Sequence, residues 1–234
     1  MLFRNAYALP TCTATRATLH TGRHGFRTGL GSPPGTLPLS ETTLPEILPS
    51  TYASALIGKW HLGNGATYPN QTGWQHFAGT SANVSDYYSW TKNINGQTST
   101  ETNYATSECV DDALAWIQAQ TKPWVMSLNF QAPHAPFHAP PSALHTYNLT
   151  GQNPRRNPQI FYKAMTQALD TELGRLLAQL GSATLAKTNI LVIGDNGTPT
   201  RILEPPFAGP GKGSVYEAGV NVPLIVAGPT VVSP

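Results

Sequence analysis

Charge is scarce in these 234 residues: Asp, Glu, Lys and Arg together make up 11%, well under the share usual in globular domains. The 14 basic and 12 acidic side chains nearly cancel, leaving a formal +2. No field of that size gathers nucleic acid or a membrane surface by charge alone. Cysteine is almost missing as well. Cys12 and Cys109 lie far apart in the chain and do not make the framework of a small disulfide-stapled fold. No apolar run approaches the ~20 residues needed to cross a bilayer. The opening MLFRNAYALP lacks the long apolar stretch of a secretory leader. Localisation is therefore left open: cytoplasmic for the chain as expressed, periplasmic for a longer parent. No internal repeat or low-complexity segment occurs.

What is present is enough for a sizeable core. The length suits one or two domains, the hydrophobic share is 40%, and 21 Gly with 21 Pro imply many turns spread along the chain. No boundary for a second domain is visible, so residues 1–234 are expected to form one domain. The sequons at Asn70, Asn83, Asn148 and Asn196 are read as chance in a Thr-rich chain.

Apolar periodicity predicts alternating strands and helices. Residues 15–22 are expected to turn helically with Ala17 and Leu19 inward, and 41–48 to hold a short helix. Strands are expected over 52–57, 124–130, 188–193 and 222–227. One helix is expected over 102–120, burying Ala105, Cys109, Ala113, Trp116 and Ile117. Another starts at Asn157-Pro158, carries the stripe Phe161, Met165, Leu169, Leu173, Leu176, Leu177, Leu180, and closes at Gly181. Residues 64–97 read as polar, aromatic loops. Their Trp74, Phe77, Tyr87, Tyr88 and Trp90 either line a cleft or pin loops to the core. This is an α/β layer pattern, and chemistry-bearing residues fall where strands become loops.

Several of those strand-end segments resemble one family. Cys12-Thr-Ala-Thr-Arg16-Ala-Thr-Leu19-His-Thr21-Gly22-Arg23 resembles the signature C-x-P-S-R-x-x-L-x-T-G-R of the type I sulfatases, a branch of the alkaline phosphatase superfamily. Ala14 stands where that signature has proline and Thr15 where it has serine; the proline matters to the modifying enzyme. GKWHLG at Gly58–Gly63 matches the second signature letter for letter. Gly73-Trp-Gln-His-Phe77 with Asp86-Tyr-Tyr88, Pro133-His-Ala-Pro-Phe137, Asp195-Asn-Gly197 and Gly211-Lys-Gly…Tyr216-Glu-Ala-Gly219 resemble further family segments, in family order. Asn221 replaces the family's usual arginine.

The resemblance implies an alkaline-phosphatase-like α/β fold in minimal form, a mixed or mostly parallel sheet flanked by helices. It also implies a single sulfatase-like catalytic domain, incomplete relative to the family. Cys12, oxidised to formylglycine, would attack sulfur while Arg16 orients it. Lys59, His134 and Lys212 would hold the sulfate, His61 would assist breakdown of the adduct, and Asp195 with Asn196 would ligate a divalent cation. His138 and His145 are left as surface or structural. Relative to the family, the strand bearing two adjacent aspartates and the C-terminal subdomain are expected to be missing. Asp111 and Asp112 do not match those aspartates and are taken as solvated. By resemblance the cation is expected to be calcium, which takes six to eight oxygens, more than Asp195 and Asn196 supply; if Cys12 stays a thiolate, zinc held by Cys12, Asp195 and a histidine is expected instead. A homo-oligomer covering an exposed sheet edge is expected, with no nucleic-acid or membrane partner. Three functions compete: a sulfate ester hydrolase, a metal-dependent phosphoester hydrolase on the same oxyanion site (mono-, di- or triester), and an inactive anion-binding fold.

Overall fold

The computed structural model describes residues 1–32 and 34–231; Pro33, within the Gly/Pro loop expected over 31–39, lies outside them. Its contacts divide the chain into two compact units, residues 36–176 and residues 1–35 with 177–234. Each is described by itself.

The larger unit is a mixed sheet with helices. β2 (Ala53–Lys59) sits between β3 (His76–Thr80) and β6 (Trp124–Asn129), parallel to both. β4 (Trp90–Ile94) and β5 (Gln97–Glu101) extend it antiparallel, giving the order β5-β4-β3-β2-β6. A strand with parallel neighbours on both sides must be apolar on both faces, and β2 reads ASALIGK with Ala55, Leu56 and Ile57 fully buried. Gly58 sits at φ +95, and a Cβ there would stand 2.1 Å from the Asn129 carbonyl oxygen. Only glycine lets β6 approach so closely. The helix expected over 102–120 is α4 (Ala105–Gln118), burying Ala105, Cys109, Val110, Ala113 and Leu114. Trp116 and Ile117 lie at its half-buried margin.

Residues 64–97 depart from expectation: they hold α3 (Tyr68–Gln71), β3, β4 and the start of β5. Asn95 (φ 49) and Gly96 (φ 96) turn β4 into β5, the two-residue hairpin that an Asn-Gly pair favours. Asp111 and Asp112 were expected to be solvated; Asp111 is, with its side chain 55% exposed, but Asp112 is not. Asp112 Oδ1 lies 2.8 Å from Lys92 Nζ with its side chain 18% exposed. Lys92 also meets Glu108, and Arg175 pairs with Asp111 at 2.7 Å. These pairs tie β4 and α5 (Pro158–Leu185) to α4. Glu172, buried on α5, accepts from Ser107 and Arg175.

α5 is interrupted where its end was expected: Gly181 has the non-helical φ 72, ψ 161, and a short second helical stretch follows to Leu185. The smaller unit contains α1 (Cys12–Thr21) and α6 (Glu217–Val220), while α2 (Leu44–Ile47) belongs to the larger one. Its antiparallel sheet has the order β1-β8-β7, from β1 (Leu2–Phe3), β8 (Leu224–Ala227) and β7 (Ile190–Ile193). α1 begins three residues earlier than expected, so Cys12 is its first residue, and it closes on Gly22, whose N–H bonds the Thr18 carbonyl. Ala17 is buried, but Leu19 is 49% exposed and does not face inward. Among the described residues no helix is long and apolar enough to cross a membrane.

Candidate functional site

In the smaller unit, three sequence-distant segments are tied together by direct bonds. Residues 6–8 run antiparallel to 220–222: Ala8 N–H donates to Val220 O at 2.8 Å and Val222 N–H to Ala6 O at 3.0 Å. This lead-in delivers Cys12 to the first turn of α1. The Thr15 hydroxyl accepts the Leu9 N–H at 3.0 Å and lies 3.3 Å from the Leu9 and Thr11 carbonyls. It holds the bend before Cys12, a task the family's serine hydroxyl can equally perform. Ala14 is buried in the same turn. Alanine is the best helix former, so the helix itself does not require the proline of the family signature.

One turn further, Arg16 reaches the Asp-Asn-Gly segment after β7. Its Nε and Nη2 both lie on Asp195 Oδ2, at 3.0 and 2.9 Å. Asn196 donates through Nδ2 to the Gly197 carbonyl at 2.8 Å, and its Oδ1 is buried with no hydrogen-bond partner. A buried acceptor left so is costly unless something else meets it. The Lys212 segment closes the group. Lys212 N–H donates to Thr198 O at 2.8 Å, Gly213 N–H to Pro10 O at 2.9 Å, and Gly197 N–H to Gly219 O at 2.9 Å. A Cβ at Gly197 would stand 2.2 Å from the Ala218 carbonyl oxygen, and one at Gly211 2.1 Å from that of Thr198; both positions require glycine. Asn221, in the family's arginine position, donates to Glu217.

In the larger unit, Lys59 ends β2, 2% exposed. His61 follows with φ 62, a left-handed backbone unusual for a non-glycine residue and typical of functional loops. Trp60 N–H donates to Thr80 O and His61 N–H to Ser81 O. Gln131, unremarked in the sequence, ties the β6 exit to that same 80–82 segment: its Nε2 donates to Thr80 Oγ1 at 2.7 Å and Ala82 O at 2.8 Å. Its own carbonyl accepts the His134 N–H. His134 Nδ1 is 2.7 Å from the Ala135 carbonyl oxygen. A carbonyl can only accept, so Nδ1 carries the hydrogen and Nε2 is the nitrogen that gains or loses a proton.

The structure thus groups Cys12, Arg16, Asp195, Asn196 and Lys212 in one unit, and Lys59, His61 and His134 in the other. Another residue missed in sequence is His20, buried on α1, its pKa lowered to about 3 by burial and by the charge of Arg16. The aromatic alternatives are decided within the larger unit: Tyr87 and Trp90 belong to its core with Tyr104 and Met165, and Trp74 and Phe77 are buried. His138 is structural, in ring contact with Tyr87 at 4.2 Å. Among the described residues no three His, Cys, Asp or Glu side chains gather as metal ligands, so the Cys12–Asp195–histidine set considered for zinc is not assembled.

The sulfatase family model matches residues 1–234. The chain belongs to the sulfatase family. It is 28% identical over 254 residues to arylsulfatase J of Mus musculus, covering 96% of this chain and 42% of that protein. It is 27% identical over 270 residues to the mouse N-acetylgalactosamine-6-sulfatase, covering 96% and 50%. Among solved structures, Ps i-CgsB in complex with k-i-k-neocarrahexaose superposes with a TM-score of 0.84 at 24% identity, over 98% of this chain and 58% of that one. The sulfatase-family chain therefore has the mixed α/β fold of its structural neighbours, and spans about half the length of these curated relatives.

Proposed function

We propose that this sulfatase-family chain carries the active-site elements of a sulfate ester hydrolase, as its relatives' names suggest. The observation that supports this most is the convergence in the smaller unit: Arg16 on Asp195, and the Lys212 loop on both Thr198 and Pro10. Three family segments remote in sequence are joined there by direct bonds.

Sulfuryl transfer asks for a nucleophile in line with the leaving oxygen and positive charge on the equatorial oxygens. In this reading Cys12, as formylglycine, supplies the nucleophile from the first turn of α1, where amide N–H groups favour an anion. Arg16, fixed through Asp195, orients it. Lys59 and Lys212 act as point charges, His134 donates through Nε2 once that nitrogen also carries a proton, and His61 moves the proton that releases the product. Members of the family generally use a metal ion. Asp195 and Asn196 fit part of a hard-cation shell, the orphaned Asn196 Oδ1 above all. Calcium, which would neutralise sulfate charge there, is the cation we propose; further oxygens must complete its shell.

A phosphoester hydrolase is the second reading, favoured by Ala14 in place of the signature proline. Mass spectrometry of the Cys12 peptide, with parallel assays on aryl sulfate, phosphate monoester and phosphotriester with and without chelator, separates the two. Formylglycine and chelator-sensitive aryl sulfate turnover are expected. An intact thiol with phosphate turnover alone would replace the first reading by the second, and no turnover at all would leave an anion-binding fold. We also keep a homo-oligomer as a proposal, supported by β6, an edge strand whose Val125, Met126 and Leu128 are all half-buried. A monomer by light scattering at micromolar concentration would remove it.

A further inference from the structure

The loop of residues 131–140 that carries His134 is held from one side by a cluster of rings in the larger unit. Tyr87, 1% exposed, donates its hydroxyl to the carbonyl of His134 itself at 2.7 Å. Tyr88 donates to the Ala139 carbonyl at 2.7 Å. His138, on the same loop, donates from Nδ1 to the Pro136 carbonyl at 2.9 Å, and its Nε2 accepts from the Tyr104 hydroxyl at 3.2 Å. The rings pack on one another: Tyr87 and His138 centroids are 4.2 Å apart, Tyr88 and Tyr104 5.1 Å, Tyr104 and His138 5.6 Å.

Every donor in this group keeps its role across the working pH range. Burial raises the phenols of Tyr87 and Tyr104, and pushes Tyr88 up to about 12. Burial lowers His138 against the opposing pull of the Pro136 carbonyl and Asp86, so the imidazole stays neutral with its proton on Nδ1. The cluster is thus a fixed scaffold rather than a titrating group. A buried hydroxyl spent on a loop carbonyl, and not on solvent, fixes the backbone at that residue.

We propose that Tyr87 is a positioning residue for His134: its hydroxyl clamps the His134 carbonyl, and this holds the backbone from which Nδ1 reaches Ala135 and Nε2, once protonated, is presented to the oxyanion. The inference rests on the reading of His134 as an oxyanion-binding residue. It extends that reading to a residue that does not itself touch substrate.

The test is Tyr87→Phe in the full chain, with Tyr88→Phe as its companion, since Tyr88 holds the same loop five residues further on. Nitrogen-15 labelling of the imidazoles, with His134 assigned as the resonance pair missing from His134→Gln, reads the tautomer directly. Wild type should show His134 protonated on Nδ1. Tyr87→Phe should show a tautomer mixture and a kcat/KM for aryl sulfate lower by about tenfold. Tyr88→Phe, at comparable thermal stability, should keep the tautomer and lose less than about threefold. An unchanged His134 spectrum in folded Tyr87→Phe overturns the proposal. The tautomer readout does not require turnover. If wild type neither hydrolyses aryl sulfate nor binds inorganic sulfate while Tyr87→Phe still disturbs His134, the functional reading fails and the clamp stands. Should Tyr87→Phe not fold, the wild-type Tyr87 hydroxyl proton must be slow to exchange with solvent and close to His134 by NMR. A proton that exchanges fast or lies away from His134 counts equally against the proposal.

Discussion

Two buried cations, one in each unit, are built differently. Lys92 in the larger unit is surrounded by carboxylates: Glu108 and, at 2.8 Å, Asp112. Asn103 Nδ2 satisfies the second Glu108 oxygen at 2.8 Å. Burial alone would lower the Lys92 pKa, but the hydrogen bonds it donates to Asp112 and Glu108 outweigh it and hold the ammonium charged. Arg16 in the smaller unit also pairs with a carboxylate, yet it places both nitrogens on one oxygen of Asp195, beside an Asn196 oxygen that nothing meets. The first arrangement is complete and joins β4 to α4. The second lies next in sequence to Asn196, whose buried Oδ1 has no hydrogen-bond partner, and a buried acceptor left so calls for an explanation. The comparison teaches that closure of the polar network, rather than burial of charge, separates scaffold from candidate site.

Removing each cation should break the comparison in opposite ways. Arg16→Ala is expected to lower kcat/KM for aryl sulfate by about a thousandfold or more, the range that an arginine on a transferring group commands. The same change should cost only about 1 kcal/mol of stability, since Asp195 is partly solvated and can rehydrate. Lys92→Met is the reverse. It strands two carboxylates in the interior and should cost about 3–5 kcal/mol while leaving turnover per folded molecule near wild type. Steady-state kinetics and urea unfolding on both variants decide the matter. Equal stability losses would show that the Arg16–Asp195 pair is scaffold too.

How much of this was legible in the sequence follows the same division. β2, β6, β7, β8, α4 and α5 were readable because their apolar runs and stripes are nearly unbroken, as in ASALI and ILVI. β4 and β5 were not: WTKNI and QTSTE alternate weakly, and Lys92 inside a strand reads as solvated until its partners arrive from α4, sixteen and twenty residues later. Only Asn95-Gly96 carried a local signal for that hairpin. Cys12, Lys59, His134 and Lys212 stood out because the segments around them resemble the family's signatures near predicted strand ends. Gln131 stayed hidden, as did the hold of Tyr87 on the His134 loop, because both act largely on backbone carbonyls, and such targets leave no mark in side-chain patterns.

The open acceptor offers a sharper probe that needs no turnover. Calcium at a hundredfold above its dissociation constant should stabilise the wild-type chain by about 2.7 kcal/mol, read as a thermal shift. In Asn196→Ala that shift should shrink sharply, while Lys92→Met, however destabilised, should keep it. A wild-type midpoint indifferent to calcium would remove Asn196 as a cation ligand and leave its oxygen unexplained.

Acid should distinguish the units by a smaller margin. His20 lies in the smaller unit with its pKa lowered to about 3 by burial first and Arg16 second. The unfolded chain takes up that proton near pH 6.5 and the folded chain does not. Stability from His20 is therefore complete above pH 6.5 and is lost as the pH falls toward 3. Between pH 6.5 and 5 the loss amounts to about 2 kcal/mol at about 1.4 kcal/mol per unit. In the larger unit the two carboxylates of the Lys92 cluster oppose each other. Burial would raise Glu108, but hydrogen bonds from Lys92 and Asn103 bring it down, so its contribution is lost on acidification. Burial raises Asp112 despite Lys92, so its protonation favours the folded state as the pH falls. Their slopes cancel in part, while His76 and His138, both lowered chiefly by burial, add a loss on acidification of the same sign as that from His20, which has the largest shift of the three. His20→Gln should then flatten the stability difference between pH 7 and pH 5, measured by urea unfolding. A variant that loses as much as wild type over that interval would place the acid sensitivity elsewhere and end the contrast between the two ionic clusters at low pH.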